Sequence, residues 1–314
     1  SEMIRQQQST TMTNSNSTKE QQCLNGALKY SEEEYYEYMK NICNSKPHLA
    51  QIGGNPTAIN HAKGFINVTL KNDKQQWPKL LSTLMTKDNK YPLYATIYYC
   101  LRSGHYNEAI ELCKDVDVIL YNALISRMQY KQQGTFGLDT NIWKELNQHY
   151  ISIVLPSQQP FKIALYHIIG YFQVPEKYCQ LYKQVFKSTE DYIWQKLNLI
   201  HTSSDSNTSQ QPHWLGKHDI ITLKEFQQIV LSHGANHFNG QSNQLLRYFK
   251  ILIMSLQYDE ALHYLTSFND LLYYNFAIHY GLVLYHYQLL SNITWLVQKV
   301  WYYLEHTCHY IKQQ

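Results

Sequence analysis

Tyr91-Pro92-Leu93-Tyr94-Ala95-Thr96-Ile97-Tyr98-Tyr99-Cys100-Leu101-Arg102-Ser103-Gly104-His105-Tyr106-Asn107-Glu108-Ala109-Ile110 is the stretch on which the fold class turns. Tyr91-Pro92 opens a helix, because proline's fixed φ suits a first turn. An apolar run over 93–101 follows, and Gly104 stops it, since glycine accepts the left-handed conformation that ends helices. Asn107 then reads as the cap of a second helix. Ala109 lets the two helices approach closely, and Tyr106 covers the turn. Tyr258-Asp259-Glu260-Ala261-Leu262 repeats the pattern after the apolar run 245–256. Hairpins of this kind build helical solenoids. The copies lie far apart and the helix spacing is irregular, so no fixed-period array is expected.

Outward from this hairpin the punctuation is helical throughout. Ser31-Glu32-Glu33-Glu34 reads as a capping box. Asn55-Pro56 reads as N-cap and first-turn proline of a helix through Ala58, Ala62 and Phe65. Asp139 caps a helix with Ile142, Leu146, Tyr150 and Val154 on one face. Pro156 and Pro160 end it and start the next, over 161–172, and Pro175 opens 176–187. Thr189 caps a helix to residue 200, in which Trp194 should point inward. Thr222-Leu223-Lys224-Glu225 is a second capping box, its helix ending at Gly234. Four more helices are expected near 242–256, 259–268, 270–288 and 293–311. Residues 116–121 form the one weak strand candidate. Residues 1–29, rich in Gln, Ser, Thr and Asn without an apolar period, are expected to be a disordered tail. Residues 30–314 are then one scaffold domain interrupted by a polar loop insert at 202–219.

Composition narrows the function. The 314 residues carry only 12 Gly and 8 Pro, too few turn-formers for a many-stranded sandwich or barrel. Net charge is +3, and just four basic residues are Arg (Arg5, Arg102, Arg127, Arg247), spread far apart. Phosphate recognition wants clustered charge and bidentate Arg, so direct nucleic-acid binding is not expected. The six Cys form no C-x-x-C pair and read as reduced, mostly buried thiols of a cytosolic or nuclear protein. Residues 271–298 lack charge, yet Asn275, His279, His286, Gln288 and Asn292 within them argue for buried helices rather than a transmembrane span.

Chemical motifs are sparse. His218-Asp219 suggests an all-helical metal phosphohydrolase, but the pair closes a Ser/Gln/Asn loop where rigid ligation is not expected. His306, Cys308 and His309 lack a second ligand pair at finger-like spacing. His233 and His237 flank Gly234 and read as cap and loop residues. No phosphate-loop, dinucleotide or nucleophile-elbow motif occurs. No catalytic, cofactor-binding or metal residue is assigned, and no cofactor is expected. Aromatic clusters such as Tyr35-Tyr36-Tyr38 and Tyr98-Tyr99 read as core or groove lining.

Several colinear segments together resemble one family. They are Ile52-Gly53-Gly54-Asn55-Pro56 with Gly64-Phe65-Ile66-Asn67-Val68, then 91–104 and Phe161-Lys162-Ile163-Ala164-Leu165-Tyr166-His167-Ile168-Ile169-Gly170. Thr189-Glu190-Asp191-Tyr192-Ile193-Trp194-Gln195-Lys196-Leu197-Asn198 is the most specific. Leu223-Lys224-Glu225-Phe226-Gln227, Tyr248-Phe249-Lys250-Ile251-Leu252, Leu256-Gln257-Tyr258-Asp259-Glu260-Ala261 and Ala277-Ile278-His279-Tyr280-Gly281 continue it. Their order over roughly 50–290 resembles the inner-ring linker nucleoporins of the nuclear pore complex, the nucleoporin-interacting component family. The resemblance implies an all-α, elongated fold-back α-solenoid of stacked helix hairpins. It implies a scaffold role without catalysis, at the nuclear envelope within the nuclear pore complex of the nucleus, in a multi-copy symmetric assembly. The implied partners are other inner-ring nucleoporins, both linkers and large scaffolds. Its motif positions, read as structural, are Tyr98, Tyr99, Cys100, Leu101, Arg102, Gly104, Glu190, Asp191, Trp194, Leu197, Asn198, Phe226, Tyr258 and Ala261. The chain stops short of the family's C-terminal helices, so a fragment or a split protein is expected. The alternatives are a helical-repeat adaptor of a vesicle coat or tether and, more weakly, the phosphohydrolase.

Overall fold

The computed structural model describes residues 2–71, 73, 77–81, 83–87, 90–132, 137–201, 220–240, 245–268, 270–290, 294–299 and 301. They are nearly all helical, in two compact units, Ser1–Thr222 and Leu223–Gln314. The first unit holds α1 (Glu2–Ser45), α2 (Pro47–Ala50), α3 (Ala58–Thr69), α4 (Trp77–Leu81), α5 (Leu93–Arg102) and α6 (Tyr106–Cys113). It continues with α7 (Val118–Gln132), α8 (Thr140–His149), α9 (Pro160–Gly170), α10 (Cys179–Tyr182) and α11 (Thr189–Leu199). The second holds α12 (Leu223–Asn239), α13 (Leu245–Met254), α14 (Tyr258–Thr266) and α15 (Leu271–His286).

α5 is the axis of the first unit. It is uncharged until Arg102, every one of its residues is buried, and it packs against α1, α3, α6 and α9. In the second unit each helix packs on the next, α12 on α13, α13 on α14 and α14 on α15, as stacked hairpins do.

Local signals erred where a buried partner outranked them. Ser31 is no cap: it lies inside α1, where its carbonyl accepts from Arg102. The tail expected over 1–29 is instead continuous with α1 from Glu2, and Leu24 and Leu28 are buried. Spaced by four, these leucines put one buried face on the last turns of that stretch. α3 is capped by Thr57, whose side chain accepts from the Asn60 amide, rather than by Asn55. α11 begins one residue earlier than expected, with Ser188 and Asp191 forming a complete capping box. α6 and α14 start at Tyr106 and Tyr258 themselves, so Asn107 and Asp259 sit within the first turn instead of capping it. The stretch opened by Pro175 is only a single turn, Glu176–Tyr178, and α10. The strand candidate at 116–121 is helical from Val118: Asp117 accepts from the Leu120 amide at 3.1 Å and caps α7.

Two-residue strands β1 (Ile200–His201) and β2 (Ile221–Thr222) pair in parallel, a feature too short to announce itself in sequence. They bracket the polar insert 202–219, which, with His218-Asp219 and His306, Cys308 and His309, lies outside the described residues. Among the described residues, no helix is long and apolar enough to cross a membrane.

Candidate functional site

The first unit contains a cleft of about 520 Å3, walled by α1, α3 and α5 and by the segment leading into α11. Each wall follows from helical spacing. On α1, Tyr35 and Tyr38 are three apart and share a face with Glu34 at its edge. α3 contributes Phe65 and Thr69, four apart, with Leu70 just beyond. α5 contributes Tyr99 and, three residues on, Arg102. Val185, Lys187, Ser188, Glu190 and Asp191 close the far side.

The aromatic wall is continuous. Phe65 meets Tyr99 edge-on at 5.0 Å and Tyr38 at 5.8 Å, while Tyr35 lies parallel to Tyr99 at 6.5 Å. Edge-to-face pairs of this kind add to the burial energy of each ring. Loss of solvation pushes the Tyr35 and Tyr99 phenols well above their ordinary pKa, with neighbouring phenols and Asp191 acting in the same direction. Both stay neutral at any physiological pH.

Arg102 forms the floor. Its side chain is 1% exposed, and Nε donates to Asp191 Oδ1 at 3.1 Å. Its two terminal nitrogens donate to the carbonyls of Ser31 and Glu190. The guanidinium lies 4.1 Å from the Tyr35 ring centre and 5.0 Å from that of Trp194. One planar fork thus ties α1, α5 and α11 together, a task lysine's point charge does poorly. The second Asp191 oxygen accepts from the Lys187 and Ser188 amides. Both carboxylate oxygens are therefore committed to structure, and the cleft offers aromatic surface with a mixed-charge rim of Glu34, Lys187 and Glu190.

Several positions singled out from sequence meet at or behind this floor: Tyr98, Tyr99, Arg102, Glu190, Asp191 and Trp194. Trp194 is 1% exposed and meets Tyr98 edge-on at 5.9 Å, directly behind Arg102. Cys100, Leu101 and Leu197 are also buried. Gly104 ends α5 at φ 79°, where a Cβ would come within 3.2 Å of Glu32. Asn198 belongs to a second hub: Arg127 donates to its carbonyl and side chain, and to the carbonyls of Ile168 and Ile169. Phe226 and Ala261 are buried in the second unit's own core, with Tyr258 half-buried there.

Sequence reasoning missed two contributors. Arg127 registered only as a scattered cation, yet it joins α7, α9 and α11 across more than 40 residues. Asp117 was hidden by the strand reading. It accepts from Tyr94 and Tyr166 at 2.9 and 3.0 Å, and Lys162 Nζ lies 3.7 Å away. An Asp directly before an apolar run is a cap signal that would have found it.

A family profile described as Nup93/Nic96 matches residues 1–311. The chain is similar to the nuclear pore complex protein Nup93 of Danio rerio, 28% identical over 265 residues, covering 84% of this chain and 30% of that protein. It is also similar to nucleoporin NIC96 of Saccharomyces cerevisiae, 26% identical over 250 residues, covering 77% and 27%. The crystal structure of Chaetomium thermophilum Nic96 SOL shares the fold, with a TM-score of 0.63 at 20% identity over 86% of this chain and 37% of that one. The chain spans about 30% of the length of the curated relatives it matches.

Proposed function

The chain belongs to the Nup93/Nic96 family, and from that premise we propose that it is a scaffold segment of the nuclear pore's inner ring, at the nuclear envelope. It acts by shape, holding short segments of other inner-ring nucleoporins, and we assign it no catalytic step. Large ring scaffolds and further copies in a symmetric assembly complete its surroundings. Nothing in the family match supports a vesicle-coat adaptor or a phosphohydrolase.

The observation that carries this reading is the cleft. Neutral aromatic walls accept an apolar side chain, the charged rim orients a polar backbone, and the Arg102 floor holds the walls at fixed spacing. An amphipathic peptide helix seats in such a groove without any reacting group. Apolar contact dominates, so affinity should change little with salt.

The test uses the full chain and synthetic linker peptides from inner-ring nucleoporins, titrated at low and high salt. Tyr38 is 50% exposed at the cleft wall, so Tyr38→Glu should leave the helical spectrum intact and abolish binding. A tagged chain should mark the nuclear rim. Undiminished binding by the Tyr38 variant would remove the cleft from the reading, and failure to bind any inner-ring peptide, with diffuse localisation, would remove the function.

A further inference from the structure

α12 is broken at Gly234, whose φ of 65° and ψ of −179° no helix contains. The chain turns there, and the five residues after it run in a new direction. The bend brings the His233 and His237 rings together, with centres 4.5 Å apart and planes at 60°. Both imidazoles are exposed, whereas Phe238, packed against both at 5.9 and 5.0 Å, is buried behind them. Two residues that sequence assigned to a cap and a loop thus meet on one side of the break.

We propose that His233 and His237 form a two-histidine site for a divalent transition-metal ion of the zinc, nickel or copper class, spanning the break in α12. Two observations and the chemistry of the ligands support it. First, the spacing fits: metal–nitrogen bonds of about 2.1 Å put each ring centre about 3.2 Å from a shared ion, and ligand angles of about 90 to 110° then separate the centres by about 4.5 to 5.2 Å. Second, the tautomer fits. His233 Nδ1 lies 2.8 Å from the Ile229 carbonyl and donates to it, which leaves the Nε2 lone pair for a metal. A backbone carbonyl on the far nitrogen is the usual support of a metal-bound histidine. Third, the ligand type fits, since paired imidazoles favour zinc, copper and nickel over hard cations. Water fills the remaining positions, and the ion exchanges only water for nitrogen.

An ion there fastens the two parts of α12 to each other across the break at Gly234. The second part carries Phe238, which stacks on Tyr248 at 6.0 Å, and Asn239, which accepts from the Tyr248 amide and donates to the Tyr264 hydroxyl. Metal binding would therefore stiffen the joint between α12 and the α13–α14 hairpin. This inference is independent of the cleft and its peptide.

The experiment is calorimetric titration of the full chain with Ni2+ and, separately, Zn2+. Variants His233→Ala and His237→Ala test the ligands, and Cys308→Ser controls for the thiol and histidine cluster at the C-terminal end. Wild type and Cys308→Ser should each bind a saturable equivalent that both histidine variants lose, with all circular dichroism spectra alike. Amide exchange over residues 235–239 should slow on adding the ion to wild type or Cys308→Ser, and not in either histidine variant. Retention of that equivalent by either histidine variant, or its loss in Cys308→Ser, would overturn the site.

Discussion

The α5–α6 hairpin of the first unit and the α13–α14 hairpin of the second share one turn design, and two of their differences are informative. Ser103 donates to the carbonyls of Tyr99 and Cys100, and Ser255 donates to those of Ile251 and Leu252. The His105 amide reaches back to Cys100 at 2.8 Å, and the Gln257 amide to Leu252 at 2.9 Å. Ala109 and Ala261 are both fully buried. Yet Gly104 at φ 79° corresponds to Leu256 at φ 58°, and Arg102 corresponds to Met254. The second turn holds a half-buried leucine in left-handed backbone. The first requires glycine, because α1 passes so close that a Cβ would meet Glu32 at 3.2 Å. Likewise a buried methionine suffices for packing, and arginine appears only where three helices and a cleft must be held in register. The difference between the hairpins lies in what surrounds them, and it marks which one carries the site.

Exchanging the differing residues tests this, and hydrogen exchange resolves the two hairpins separately. Arg102→Met should do the most damage, because it leaves Asp191 buried without its counter-charge. Loss of one partner of a buried pair costs about 3–5 kcal/mol, and denaturant unfolding of the first unit should show it. A cost below about 1 kcal/mol would mean that Arg102 is as replaceable as Met254.

Gly104→Leu comes next. Left-handed backbone costs a residue with a Cβ about 1–2 kcal/mol. Displacing Glu32, which accepts from Tyr106 at 2.7 Å, adds to that, for a total of roughly 2–3 kcal/mol. The same unfolding curve measures it.

Ser103→Ala and Ser255→Ala probe what the hairpins share. Each removes a buried hydroxyl whose acceptors keep other partners, so each should cost about 0.5–1.5 kcal/mol. The informative result is their ratio: costs differing several-fold would break the equivalence of the two turns.

Leu256→Gly should have the smallest effect. Relief of left-handed strain is offset by the greater freedom of glycine in the unfolded chain, roughly 0.5–1 kcal/mol. Its melting temperature should match wild type closely, whereas a large loss would show that Leu256 packs as more than a turn residue.

Helices, hairpin turns and the all-α class were legible in the sequence because each is decided within a few residues. Apolar spacing, Pro160 in the first turn of α9 and Gly104 just after α5 are local physics that the structure keeps. Pro92, by contrast, is itself the N-cap of α5, Pro56 lies ahead of the Thr57 cap, and α12 resumes beyond its break at Gly234. Caps were read less well, since a serine or aspartate that suits a cap also suits a buried hydrogen bond. Ser31 took the latter course, its hydroxyl accepting from Arg102 at 3.5 Å across 71 residues. The roles of Arg102, Arg127 and Asp117 were likewise invisible: their partners lie 89, 71 and 49 residues away, and no local pattern encodes such a pairing. Local sequence set the all-α class and most of the helices and turns, though it hid the helix over residues 2–29 and the start of α7. Which polar groups are buried together, and where the aromatic faces leave a cleft, was settled by packing between distant segments. Helix formation rests on bonds four residues apart, whereas a buried charge is stable only when folding brings it a partner, wherever in the chain that partner lies.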